Sequence, residues 1–224
     1  MKINIITLFP AMFDSAFTES IVKRAQQSGA VEIKIYNLRD WALDKHKMVD
    51  DRPFGGGPGM VLKVDVIHRA IEDLKKQNPA AKVVLLTPQG ENYSQQKAEQ
   101  FAQEKSLILI AGHYEGFDDR IRKYIDQEVS IGDYVLTGGE LPAMVIVDSV
   151  VRLLSGVLGD ENSAPTDSFS AGSKLLGHPQ YTRPEEFDGE KVPVVLLSGD
   201  HGKIEEWRQQ QAKKRTQQRR PDLA

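Results

Sequence analysis

The sequence has no cysteine. Disulfides, thiolate metal sites and cysteine nucleophiles are thereby excluded, and the absence fits a reducing, cytoplasmic setting. The opening Met1-Lys2-Ile3-Asn4-Ile5-Ile6-Thr7-Leu8 carries one lysine and an apolar run that ends at Pro10. It is too short for a signal peptide or a membrane span and reads as a first β-strand, and nothing points to a membrane. An excess of basic charge is lacking as well: 29 Lys and Arg stand against 32 Asp and Glu, for a formal net charge of −3. Contact with nucleic acid therefore has to come from local basic patches. The run Gly55-Gly56-Gly57-Pro58-Gly59 lacks the Gly-Lys-Ser/Thr ending of a phosphate-binding loop, and no Gly-x-Gly-x-x-Gly fingerprint follows a strand. Kinase and nicotinamide chemistry are disfavoured on that ground. No two of the five histidines stand at helical ligand spacing, which argues against a transition-metal site. No internal repeat is visible.

What is present suits a chain of the α/β class. With 224 residues, 40% of them hydrophobic, the chain can bury a sizeable core in one large domain or in a domain plus a smaller lobe. Apolar runs at residues 3–8, 31–36, 82–86, 107–111, 128–130 and 194–197 read as buried strands. Stretches of helical period at 14–27, 64–76, 94–104, 117–124 and 141–154 alternate with them. This predicts an α/β domain with a mostly parallel sheet, whose ligands sit at the carboxyl ends of the strands. Two glycine-bearing loops fall there, at 111–116 and 131–139. The second opens the segment Ile131-Gly132-Asp133-Tyr134-Val135-Leu136-Thr137-Gly138-Gly139-Glu140-Leu141-Pro142. Glycine lets the main chain come close to a ligand or take positive φ. Such a loop suits a neutral or zwitterionic nucleoside held by main-chain groups better than a polyphosphate.

Two stretches, 39–63 and 159–172, lack clear periodicity, and irregular segments of more than about 12–15 residues are usually functional lids or linkers. The second is expected to separate the α/β domain from a C-terminal lobe that ends in an amphipathic helix near 202–218. Taken singly, His113 reads as a loop hydrogen-bonder, Asp167 as a helix N-cap or turn residue, and Arg152 as a structural ion-pair former. Between residues 203 and 220, Lys203, Arg208, Lys213, Lys214, Arg215, Arg219 and Arg220 face only Glu205 and Glu206. On a mildly acidic protein such a cluster is the expected footprint of a phosphate backbone.

Together the blocks resemble one family, the bacterial tRNA (guanine-N1-)-methyltransferases of the SPOUT class. The likeness runs from Ile5-Ile6-Thr7-Leu8-Phe9-Pro10 through residues 49–60, Leu86-Thr87-Pro88-Gln89-Gly90, 112–116 and 130–144. It continues through Asp148-Ser149-Val150, Asp167-Ser168-Phe169, His178-Pro179-Gln180-Tyr181 and 194–199. The resemblance implies a trefoil-knotted domain over 1–159 that binds S-adenosylmethionine, a flexible interdomain linker over 160–172 carrying the catalytic aspartate, and a small helical tRNA-binding domain over 173–224. It also implies a cytoplasmic homodimer with active sites shared between subunits, and 1-methylguanosine at position 37 of tRNA as product. By resemblance, Asp167 is the general base and Arg152 supports guanine O6. Pro88, Gly112, Ile131, Gly132, Asp133, Tyr134, Val135, Leu136, Gly138, Gly139 and Pro142 match the cofactor loops, and Asp50, Glu115, Lys213 and Arg215 are expected to meet the substrate. The family also brings a magnesium requirement, for which the sequence holds no dedicated carboxylate cage. This chain departs from many members in having His113 in place of arginine, Gln217 and Gln218 in place of larger apolar groups, and an earlier end. Its tRNA-holding lobe is expected to be trimmed.

Overall fold

In the computed structural model, which describes residues 1–159, 167–170 and 172–223, contacts divide the chain into two units, Met1–Gly159 and Asp160–Ala224. The first holds strands β1 (Lys2–Thr7), β2 (Glu32–Asn37), β3 (Asp50–Asp51), β4 (Val61–Leu62), β5 (Lys82–Asn92), β6 (Ser106–Ala111) and β7 (Gln127–Ser130). Five of them form one sheet in the order β2-β1-β6-β5-β7, and every pairing in it is parallel. The β3 and β4 strands pair antiparallel with each other. All six residues of β6 are buried. A central strand covered on both faces needs no polar alternation, which is why its sequence reads as a continuous apolar run.

Helices α1 (Asp14–Phe17), α2 (Ser20–Gln27), α3 (Val64–Gln77), α4 (Gln95–Ala102) and α5 (Glu140–Val151) complete this unit. Because side chains alternate along a strand, the sheet feeds two cores. Ile3, Ile5, Leu107 and Leu109 pack with Phe101 of α4 and with Ile146, Val147 and Val150 of α5. Ile6, Ile108 and Ile110 pack with Ile67, Ile71 and Leu74 of α3.

Several boundaries differ from the sequence pattern. The helical stretch 14–27 breaks into α1 and α2, and Ser20, the first residue of α2, takes φ 52 at the break. Residues 117–124 give a 3-10 helix, Asp119–Tyr124, capped by the Asp118 side chain accepting from Arg120 N–H. The β5 strand continues past Leu86 to Asn92, but its register with β7 slips between Leu86 and Glu91. That slip frees residues 87–90 from regular pairing and opens the sheet edge where the functional loops gather.

The second unit contains an antiparallel pair, β8 (Glu186–Phe187) with β9 (Glu190–Lys191). Two helices follow, α6 (Val194–Leu197) and α7 (His201–Arg219). The expectation of a strand at 194–197 is therefore wrong. Four apolar residues carry no period that separates strand from helix. Pro193 ahead of the run, and Gly199 at φ 71 just after it, act as helix start and stop signals. Asp200 caps α7 by accepting from Lys203 N–H at 3.1 Å. Ile204, Trp207, Ala212 and the buried Thr216 share its covered face, and Thr216 Oγ1 accepts from Leu176 N–H at 2.9 Å. Of the expected linker, residues 160–166 and 171 lie outside the described residues. Among the described residues, no helix is long and apolar enough to cross a membrane.

Candidate functional site

A cleft of about 390 Å³ opens at the carboxyl ends of β6 and β7, against the irregular middle of β5. Residues 86–89 reach it from the slipped part of β5, Gly112 to Phe117 follow β6, and Ile131 to Leu136 follow β7. The N-terminus of α5 closes the remaining side with Gly138, Gly139 and Pro142. Leu86, Gly112, Val129, Ser130 and Gly139 are its buried lining.

The two glycine loops are fastened to each other. Gly139 N–H donates to Gly112 O at 2.8 Å, and His113 bridges Gly138 in antiparallel fashion. A Cβ on Gly139 would lie 2.6 Å from Gly112 N and 2.7 Å from Ala111 Cα. Glycine is needed here because two main chains touch, so the ligand-approach reading of this position is incomplete: Gly139 also welds the cleft's walls together.

Beneath that junction lies a buried polar tie. Thr7 Oγ1 donates to Glu140 Oε1 at 2.7 Å and accepts from Phe9 N–H at 2.9 Å, with Thr7 at 0% and Glu140 at 2% exposure. The carboxylate stands in the first turn of α5, where the unpaired amides of a helix N-terminus favour negative charge. On the other side of α5, Tyr93 Oη lies 2.6 Å from Ser149 Oγ. Burial pushes this phenol up to about 12, so it stays protonated and links the end of β5 to the helix.

Among the described residues, the His113 side chain makes no hydrogen bond. Its ring packs against Phe9 and Tyr114, each at 4.8 Å, and its buried Nδ1 finds no partner among the described residues. At the rim, Arg122 donates to Glu128 Oε1 at 2.9 Å and Gln89 Oε1 at 2.7 Å, and pairs with Asp119. Neither this arginine nor Glu140 was marked by the sequence pattern.

All the residues matched to cofactor loops line the cleft except Asp133, which is exposed outside it. Glu115 lines it too, while Asp50 lies on β3 opposite Leu62 and is not part of the lining. Arg152 ends α5, its N–H donating to Asp148 O at 3.2 Å, half-buried and outside the lining. Asp167 belongs to the second unit, where it is exposed and its main-chain oxygen accepts from Ser170 Oγ at 2.7 Å. Lys213 and Arg215 stand on α7, the first exposed and the second half-buried. In the same unit, burial and then the nearby Arg208 hold the His178 imidazole below its ordinary value.

Chemically, the cleft offers an uncharged inner wall, glycine main chain on two sides, and a rim that carries Glu115, Asp119 and Arg122, the last two paired with each other. Its size is that of a small-molecule site. Among the described residues, no group of three or more His, Asp or Glu could hold a metal ion.

The family model described as tRNA (Guanine-1)-methyltransferase TrmD matches residues 1–224. A tRNA (guanine-N(1)-)-methyltransferase of Geobacillus kaustophilus is 58% identical over 224 residues, covering 100% of this chain and 91% of the relative. The protein of the same name from Anoxybacillus flavithermus is 58% identical over 225 residues, with the same coverage of 100% and 91%. That of Citrifermentans bemidjiense is 54% identical over 224 residues, covering 100% of this chain and 89% of the relative.

Proposed function

Since the chain belongs to the tRNA (guanine-1)-methyltransferase family and is an enzyme of that type, we propose that it methylates N1 of guanosine 37 in tRNA, using S-adenosylmethionine held in the cleft of the first unit. When bound, that cofactor supplies a sulfonium methyl group open to in-line attack. The cleft fits it: about 390 Å³, an uncharged wall at Leu86, Val129 and Pro142, and main chain at Gly112, Gly132 and Gly138 to take up the polar atoms of a nucleoside. The observation that supports the reading is this main-chain-lined cleft, where the loops after β6 and β7 meet the irregular middle of β5.

Guanine N1 bears a proton and is a poor nucleophile until it leaves. The Asp167 carboxylate accepts that proton. Arg152 balances the negative charge that then gathers on O6, a stabilisation that is strongest where water is excluded. Support for both roles is the match of the two residues to the family motif, in a chain that the family model covers from end to end. Glu115, on the cleft wall, and Asp50 shape the guanine side of the site. Lys213 and Arg215 on α7 meet tRNA phosphates, which position the substrate without reading its sequence.

The trefoil knot, the linker over 160–172, the homodimer with shared active sites and the cytoplasmic setting belong to the same proposal. They are supported by family membership over the full chain. Magnesium has no matching cage among the described residues, and no step here passes through it.

Labelled S-adenosylmethionine and unmodified tRNA transcripts, with and without guanosine at position 37, test the reading. Label is expected as 1-methylguanosine and only in the first transcript. Methylation that persists after guanosine 37 is replaced overturns the position, and cofactor binding without any transfer overturns the catalytic assignment.

A further inference from the structure

Phe54 is the most exposed large apolar side chain among the described residues, at 101%. Single exposed apolar residues are ordinary, so exposure alone carries nothing. What sets this ring apart is how it is held. It occupies the second position of a turn closed by Gly56 N–H donating to Pro53 O at 3.2 Å. Gly55 follows at φ 89, the left-handed conformation that a type II turn demands at its third position. A Cβ on Gly55, Gly56 or Gly57 would meet nothing within 4 Å. These glycines answer to backbone shape rather than packing, and the shape they give points an aromatic ring outward at an apex.

The loop is rooted in the cofactor cleft. Gly59 lies against the Glu115 side chain, whose Oε1 is 2.4 Å from where a Cβ would stand. Glu115 N–H donates to Met60 O at 3.0 Å, and Leu62 N–H donates to Gly116 O at 2.9 Å. Glu115 and Gly116 are cleft-lining residues, so the apex rises from the wall beside which a target base must sit. Arg52, two residues before Phe54, is exposed and forms no ion pair among the described residues. Asp50 and Asp51 precede it, and Asp51 accepts from Arg52 N–H at 2.7 Å. With two carboxylates beside one guanidinium, the loop is no electrostatic patch for a lipid surface or a bare polyanion. Its offer is one aromatic face with one cation beside it, which matches a nucleotide: a base to stack and a phosphate to pair.

We propose that Phe54 is a stacking platform for an unpaired nucleobase of the tRNA next to the target guanosine, with Arg52 on the adjoining phosphate. This rests on the methyltransferase reading above. An anticodon loop presents such unstacked bases, and aromatic stacking tolerates any of the four, so the contact secures the loop without selecting the isoacceptor.

The test compares wild type with Phe54→Ala and Phe54→Trp, using unmodified transcript and S-adenosylmethionine. Phe54→Ala is expected to raise the KM for tRNA about tenfold, a change within the range for loss of one base–aromatic stack. Its kcat at saturating tRNA and its cofactor affinity should stay as in wild type, and Phe54→Trp should restore the KM. An unchanged KM for tRNA in Phe54→Ala overturns the platform while leaving the enzyme assignment standing. Failure of wild type itself to form 1-methylguanosine sinks the underlying reading instead. A second copy of the chain seated on the ring is the rival occupant. In that case Phe54→Ala lowers the mass in sedimentation, which also overturns the proposal.

Discussion

At the scale of single residues, the proposed chemistry depends on a carboxylate that can take the guanine N1 proton. Asp167→Asn keeps the size and polarity of the side chain and removes its basicity. Turnover should fall by about 10²- to 10⁴-fold, the usual contribution of a positioned general base. Cofactor affinity, measured calorimetrically, should not change, because the cleft lies wholly in the first unit. Full turnover in this variant would remove Asp167 from the mechanism. The glycines of the site were legible as residues because their number in so short a span needs a reason. Glu140 and Arg122 were not. The partner that gives Glu140 its place, Thr7, is 133 residues away, and the Gln89 contact of Arg122 spans 33 residues. Nothing local in the sequence joins them.

Among the elements, the tie between β1 and α5 is the most exposed to disruption. Thr7→Val keeps the shape of the side chain but takes away the hydroxyl that donates to Glu140. The buried carboxylate then loses a charge-assisted bond, and about 1–3 kcal/mol of stability should go with it. A urea midpoint shifted by that amount is the expected result, and an unshifted midpoint would show the pair to be idle. The long elements could be read from sequence where one physical signal dominated: β6 by burial on both faces, α3 by its 3.6-residue period. Reading failed where signals were short or opposed. Pro88 and Gly90 look like strand terminators, yet β5 bulges at residues 87–90 and rejoins β7 beyond them. The α6 run is too brief to show any period at all.

Across the whole molecule, stability is unevenly shared. Both apolar cores lie in the first unit, while the second has only Ser170 and Thr216 buried among its described residues. A single unfolding midpoint should therefore not describe the chain. Acid makes the difference visible. His178 is held below its ordinary value by burial, then by Arg208 and Arg215, against an opposing pull from Glu205. Its unfolded form thus takes up a proton first as pH falls below about 6.5. The stability it contributes is whole above that value and is lost as pH drops through the lowered folded value. Hydrogen exchange at about pH 7.5 and about pH 5.5 should show protection falling in α7 while β6 keeps it. Protection in α7 that holds or rises at the lower pH would contradict this sign, and equal loss in both elements would contradict its confinement to the second unit. The pairing of β1 with β6 also bears on how the protein is made. Lys2 lies opposite Ser106, so the first strand leaves the ribosome roughly 100 residues before its inner neighbour. At about 5–20 residues per second it waits on the order of 5–20 s with one edge unpaired. A nascent chain paused inside that interval presents a bare apolar edge, and holding it apart from its neighbours becomes the task of a chaperone.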